Sequence, residues 1–297
     1  MRELQGKVAV ITGAAGGIGR ATAIAFADRG THLAIADINM DGLEETKALI
    51  GERVRVTAHR IDVSDAVAMQ RFRDEVVAAH GQVDVLVNNA GITEFATFAE
   101  QGLEVHKRII GVNLWGVLHG CRVFLPDLTN RPEAHIVNLS SMAGFVGIPY
   151  QALYCTTKFA VRGLSQSLRT ELAESGIGVT SVHPGAVRTG ILSTGGSADR
   201  GLSDKLAHLM LRFGYPVERA GRKIVGAVRR NKRELRLAPE SHATFFALRL
   251  IPGIVHWSMR QMMRGSARLR TTPVMLRSPN RGGSTHSADS NRTEGAT

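Results

Sequence analysis

Tyr154 and Lys158 stand four residues apart, a spacing that puts both side chains on one face of a helix. A free phenol has a pKa of about 10, too high for a base at neutral pH, and a nearby ammonium favours its ionised form. The pair therefore suits general acid/base catalysis, with Lys158 drawing the Tyr154 phenol toward the working range. A second group suits a phosphate-bearing ligand. The apolar run Val8–Thr12 leads into Gly13-Ala-Ala-Gly16-Gly17-Ile18-Gly19, where a helical pattern opens. Glycine permits positive φ and close backbone approach, and a helix N-terminus offers unpaired N–H groups to a pyrophosphate. Asp37 closes the next apolar run, twenty residues after Gly17. A carboxylate there can accept from both hydroxyls of an adenosine ribose, or it can cap a helix. The 11 histidines show no metal spacing, and His183, just before Pro184, reads as a strand-end residue. Cys121 and Cys155 have neither zinc spacing nor a basic neighbour in sequence, so they read as packing residues in a reducing, cytoplasmic setting.

The elements that must position these residues alternate. Short apolar runs at Val8–Thr12, His32–Asp37, Val54–Asp62, Val83–Asn88, His135–Ser140 and Gly178–His183 predict strands apolar on both faces. Between them, Gly17–Arg29, Asp41–Ile50, Asp65–His80, Glu104–Leu128 and Ala152–Ser175 predict helices. Such alternation implies an α/β fold: one Rossmann-like, doubly wound parallel sheet with helices on both faces. Residues 1–240 read as one domain, followed by an apolar and basic helical extension over 241–276. Thr189–Ser203 reads as a mobile loop, and 277–297, without apolar period, as a disordered tail. Two helices (Asp204–Phe213 and Val217–Asn231) and a strand near Leu235–Ala238 complete the domain. No signal peptide and no run of 18 uncharged apolar residues is present, so no membrane span is expected.

The spacing Gly13-x3-Gly17-x-Gly19, preceded by Thr12, resembles the cofactor loop of the short-chain dehydrogenase/reductase family. Asn88-Asn89-Ala90-Gly91 is similar to the family's NNAG motif, and Asn113 matches its helix asparagine. Tyr154-x3-Lys158 matches its signature pair, with Ser141 at the usual interval before the tyrosine. Pro184-Gly185-Ala-Val187-Arg-Thr189 resembles the segment that holds a nicotinamide carboxamide, and Asp62-Val63 an adenine-contacting position. The match runs over about residues 6–240 in family order. It implies a nicotinamide-dependent oxidoreductase in which Tyr154 exchanges the proton of an alcohol while hydride moves. Ser141 would bond the same substrate oxygen, Lys158 would hold the ribose, and Asn113 would position a water leading to Lys158. Ser140 competes with Ser141, Tyr150 lacks a lysine four residues on, and Asp62 could equally cap a helix. The resemblance further implies a homodimer or tetramer built on the helices 104–128 and 152–175.

By the family's pattern an NADP-binding member carries a basic residue after the ribose acid or before the middle glycine; here Ile38 and Gly16 stand there, so NAD is expected. The uncharged segment Met142–Tyr150, with Leu206, Leu209, Met210, Leu211 and Phe213, suits an apolar secondary alcohol or ketone. A β-ketoacyl thioester reductase is the alternative enzyme, and a non-catalytic NAD-binding scaffold would be expected to have lost Tyr154 or Lys158. A nucleic-acid binder would interleave aromatic with basic residues in a groove; Phe245, Phe246 and Trp257 read instead as lying on an apolar helix, so no nucleic-acid partner is expected.

The formal charge of +11 is lopsided: residues 1–199 hold 18 Lys and Arg against 20 Asp and Glu, whereas 200–297 hold 19 against 6. Within that basic third, Glu240–Gly265 mixes Phe245, Phe246, Leu250, Ile254, Trp257 and Met262 with Arg249, Arg260 and Arg264, and Pro252 should kink it. It reads either as a lid over the pocket or a partner, or as an anchor on an anionic membrane surface.

Overall fold

Every residue of β1 (Val8–Thr12) is buried, which requires a sheet covered on both faces. The computed structural model, which describes residues 1–190, 196–197 and 200–269, has that arrangement. The first half of the chain supplies α1 (Gly17–Ala27), β2 (His32–Asp37), α2 (Met40–Ile50), β3 (Val56–Arg60), α3 (Ala66–His80) and β4 (Val85–Asn88). The middle supplies β5 (Glu94–Phe95), α4 (Leu103–Ile110), α5 (Gly116–Thr129), β6 (Ala134–Leu139), α6 (Ala152–Glu171) and β7 (Ile177–Pro184). The last part supplies β8 (Gly196–Ser197), α7 (Arg200–Phe213), α8 (Val217–Arg229), β9 (Glu234–Leu237), α9 (Pro239–Leu250) and α10 (Pro252–Leu269). Seven strands pair in the order β3-β2-β1-β4-β6-β7-β9, all parallel, while β5 and β8 form a separate pair. Strand order reverses between β1 and β4, and a ligand crevice opens at the carboxyl ends of strands at such a point.

Alternate residues of β1 feed opposite layers. Ala9 and Ile11 pack with Phe26 of α1 and Ile224 of α8. Val10 packs with Phe72 of α3, Phe124 of α5 and Val161 of α6. The α1–α8 contact is close because Gly221 has no side chain; a Cβ there would lie 2.3 Å from the Ala21 carbonyl oxygen. Phe72 meets Phe124 edge-on at 5.6 Å and is fully buried. Phe72→Ala should therefore cost about 3–5 kcal/mol. A thermal melt should fall by roughly 10 °C; a shift below about 2 °C would contradict this packing.

Several boundaries differ from the expected ones. Predicted Val54–Asp62 pairs only over Val56–Arg60, because the strand lies at the sheet edge and has one neighbour. The expected helix 104–128 is interrupted by a π turn at Gly111–Trp115. At Pro252 the helical extension breaks in two, with Ile251 out of the helical region as a residue before proline tends to be. The extension is knit into the domain: Ser241 donates to the His183 carbonyl at 2.8 Å, and Phe245 packs on Phe145. Leu103–Thr129 is long and apolar enough to cross a bilayer by length and composition. One face of it packs in the core, with Val117, Phe124 and Leu128 buried, and Pro126 lies inside it. The expected loop 189–203 contains the strand Gly196–Ser197, and the helix expected from Asp204 starts at Arg200. Residues 191–195 and 198–199, the tail 277–297, and the side chains of Leu206 and Met262 lie outside the described residues.

Candidate active site

Two glycines of the loop leave no room for a side chain. A Cβ on Gly13 (φ +68°) would fall 2.7 Å from the Ala90 Cα, and one on Gly19 would fall 2.0 Å from the Gly13 oxygen. Gly17 is also left-handed at φ +51°, and the Thr189 side chain lies 3.2 Å from where its Cβ would be. The segment after β7 thus folds over the loop. The loop is clamped from β4: Thr12 Oγ1 accepts from the backbone N–H groups of Asn89 and Ala90. Asn89 Nδ2 donates to the carbonyls of Thr12 and Gly13. Helix α1 starts at Gly16 without a side-chain cap, so its first turn stays open to an anion. Ile18 packs on the core behind this turn.

Asp37 ends β2 beside the loop. Its Oδ2 accepts from Ala15 N at 3.1 Å and its Oδ1 from Asn39 N at 3.0 Å. Asn39, not Asp37, caps α2, which removes the capping alternative. Asp62 caps nothing either: it is exposed, accepts from Ser64, and leaves Asp65 to cap α3. Val63 is buried against Gly116. Pro184 and Gly185 close β7, where Gly185 N donates to the Leu237 carbonyl, and Val187 is buried and bridges Tyr215.

The acid/base residues converge from β6, α6 and the π turn. Ser141 follows β6, its Oγ accepts from Ala143 N at 3.1 Å, and its side chain is near enough to Tyr154 to favour the ionised phenol. Ser140 points away and donates to the Lys158 carbonyl at 2.8 Å, so Ser141 is the serine that faces the tyrosine. Tyr150 packs against Phe95 at 5.1 Å between ring centres. Lys158 is buried, donates from Nζ to the Leu139 carbonyl at 2.8 Å, and lies 5.5 Å from the Tyr154 ring centre. Gly91 lies beside it: a Cβ there would be 3.4 Å from that Nζ. Asn113, fully buried, exchanges two 2.8 Å bonds with the Ile92 backbone and donates to Thr157 Oγ1 at 3.3 Å.

Burial corrects one expectation. The Tyr154 phenol is pushed up to about 12, because desolvation outweighs the hydrogen bond from Ser141. Burial likewise pulls Lys158 down to about 8. In the protein alone, therefore, burial outweighs the pull of the ammonium on the phenol; the low dielectric penalises both charges. His183 is also more than a strand end. Its Nδ1 donates to the Ser141 carbonyl at 3.1 Å, and burial holds the ring down to about 4, hence neutral. Cys155 accepts from Ile148 N and its thiol is raised by burial, which suits packing and not nucleophilic chemistry.

The expected apolar wall divides. Phe145, Val146 and Tyr150 turn into the core, whereas Met142, Ile148 and Pro149 are half-buried. On α7, Leu209, Leu211 and Phe213 are exposed. Sequence reasoning did not single out Ile92 and Thr157, the partners of Asn113, or Arg60, which stands in register with Asp37 on β3. Only the threonine's place on the Tyr154 helix could have marked it.

Residues 7–200 match the family model described as short chain dehydrogenase. The chain is 37% identical over 273 residues to the protein named Probable oxidoreductase EphD of Mycobacterium tuberculosis, covering 88% of this chain and 44% of that one. It thus spans under half the length of that relative. It is 35% identical over 216 residues to D-threitol dehydrogenase of Mycolicibacterium smegmatis, covering 72% of this chain and 83% of the relative. A solved short chain dehydrogenase/reductase from Burkholderia phymatum in complex with NAD superposes with a TM-score of 0.74 at 29% identity, covering 93% of this chain and all of the other.

Proposed function

The chain belongs to the short-chain dehydrogenase family of oxidoreductases, and from that premise we propose that it interconverts an apolar secondary alcohol and its ketone using NAD. One observation carries the reading: Ser141 and Lys158 stand beside Tyr154, a Cβ on Gly91 would touch the Lys158 Nζ, and the neighbouring Asn89 and Ala90 clamp the glycine loop that Asp37 flanks. The open first turn of α1, in a loop that Gly13 and Gly19 let pack tightly on Asn89 and Ala90, fits a dinucleotide. Asp37 would take the adenosine ribose, Val63 and Asn89 to Gly91 would line the adenosine side, Lys158 the nicotinamide ribose, and Val187 and Thr189 the carboxamide end. When bound, the nicotinamide supplies the hydride acceptor or donor.

The protein's own part is the proton. In oxidation the Tyr154 hydroxyl oxygen, once ionised, takes the proton of the substrate hydroxyl; in reduction the neutral phenol gives it to the carbonyl oxygen. Ser141 donates to that same oxygen and stabilises the charge growing on it. His183 fixes the Ser141 backbone from behind. Lys158, cationic below about pH 8, favours the phenolate whenever it forms.

NAD should bind more tightly than NADP by at least about tenfold, since hydrogen bonds to a charged acceptor are each worth roughly 1.5–3 kcal/mol and a 2′-phosphate would meet the Asp37 carboxylate. Asp37→Ala with Ile38→Arg should narrow or invert the ratio. Equal kcat/KM for the two cofactors would contradict the reading and direct attention to Arg60, exposed and in register with Asp37. The apolar substrate rests on Met142, Ile148, Pro149 and the exposed leucines of α7. Turnover of β-ketoacyl thioesters in preference to simple ketones would favour the thioester reductase instead. A homodimer or tetramer through α4–α5 and α6 is part of the proposal, because Leu103, Trp115 and Phe159 are exposed there for a second copy to cover; light scattering tests it.

A further inference from the structure

Away from the glycine loop, at the sheet edge formed by β9, lies a cleft of about 500 Å³ lined by Arg162, Arg169, Arg233, Arg236 and Arg249 with one carboxylate, Glu234. It therefore holds a large positive excess. Glu234 offsets it loosely, at 3.9 Å from both Arg162 and Arg236. Arg162 Nε and Arg236 Nη1 are buried without a hydrogen-bond partner, although buried donors are nearly always satisfied. The guanidinium of Arg236 stacks 3.9 Å from the Phe245 ring centre and that of Arg249 lies 4.8 Å from it, so α9 holds both heads at the cleft. Converging guanidinium groups with spare donors match a phosphate.

The cleft does not end in polar surface. Phe246 lines it and is half-exposed, and next to Arg249 the helices α9 and α10 present Leu250 (78% exposed), Ile254 (59%) and Trp257 (61%) to solvent. Ile254, Trp257, Arg260 and Arg264 follow one exposed stripe of α10, apolar at its start and cationic at its end. An apolar patch bordered by arginines fits a surface that is itself apolar within and anionic at its rim. A second copy fits worse, since a two-fold contact on this face would set these arginines against their own like charges.

We propose that this face docks on an anionic phospholipid surface, the arginine cleft taking a headgroup phosphate while Leu250, Ile254 and Trp257 enter the acyl boundary. The substrate proposed above is not a premise, because vesicle binding is measured without turnover. Deleting 240–297 would be a poor test, as it removes Ser241 and Phe245, which the domain uses. The test is co-sedimentation of the full chain with phosphatidylglycerol-containing vesicles and with pure phosphatidylcholine vesicles, at low and high salt. Binding should need the anionic lipid and weaken with salt. Arg233→Gln with Arg249→Gln should lower partition by about thirtyfold, from about 1 kcal/mol per basic residue near an anionic leaflet. Leu250→Ser with Trp257→Ser should lower it as well, with the thermal melt unchanged in both variants. No binding to anionic vesicles, equal binding to both kinds, or variants that melt and bind like wild type would overturn the proposal. So would a fall in molecular mass by light scattering on Trp257→Ser, which would make the patch a contact between copies.

Discussion

Tyr154→Phe is expected to lose turnover by about 10²–10⁴-fold, the range that general acid/base catalysis supplies, while keeping the fold and the affinity for NADH. The ring still packs beneath Lys158 and only the transferable proton is gone. The loss should appear in kcat in both directions, because the same oxygen takes the proton in one and gives it in the other. Oxidation should rise with pH and reduction fall, since burial sets the phenol high and oxidation needs its ionised form. A variant that retains more than about a tenth of wild-type turnover would place the proton transfer on another group. Tyr150 is no substitute, being held against Phe95.

Lys158→Met should have two effects of opposite sign. Activity should fall about 10²-fold or more, as when a preorganised electrostatic group is removed, and the alkaline rise of oxidation should move to higher pH. Stability of the unliganded protein should increase. The folded lysine titrates at about 8, below its ordinary 10.5, so between those values the unfolded chain holds a proton that the folded one has released. Stability therefore rises with pH across that window, and the burial penalty is complete below it, including at neutral pH. At 1.36 kcal/mol per unit the penalty is roughly 3 kcal/mol. Losing the bond to the Leu139 carbonyl offsets about 1 kcal/mol, so a thermal melt of the variant at neutral pH should shift upward by several degrees. A downward shift would mean that the ammonium holds the fold together and is not kept at a cost for chemistry.

The parts of the site that were legible in the sequence are those fixed by short spacings. The glycine loop, Asp37 and the Tyr154–Lys158 pair each sit within one turn or one strand–helix junction, where geometry follows from residue separation. What could not be read was set by tertiary packing. The Met142–Tyr150 run has no polar residue to mark an outer face, so nothing told that Phe145 and Tyr150 turn inward. The π turn at Gly111–Trp115 arises where Asn113 is pulled onto the Ile92 backbone, a contact between segments twenty-one residues apart. The phenol's high pKa reflects the walls around it, which a helix spacing of four does not describe. The arginine cleft joins α6, β9 and α9, so its members are scattered along the sequence, and only Arg249 falls in the segment that read as a lid or an anchor.

The most direct measurement is the initial rate of NADH formation from NAD by the wild-type protein and Tyr154→Phe, side by side, across secondary alcohols graded from polar to apolar. NADH should form with wild type, fastest with the apolar alcohols, and nearly vanish in the variant. Turnover confined to NADP or to polar substrates, or persisting in Tyr154→Phe, would contradict the assignment of NAD-linked oxidation of an apolar alcohol to this site.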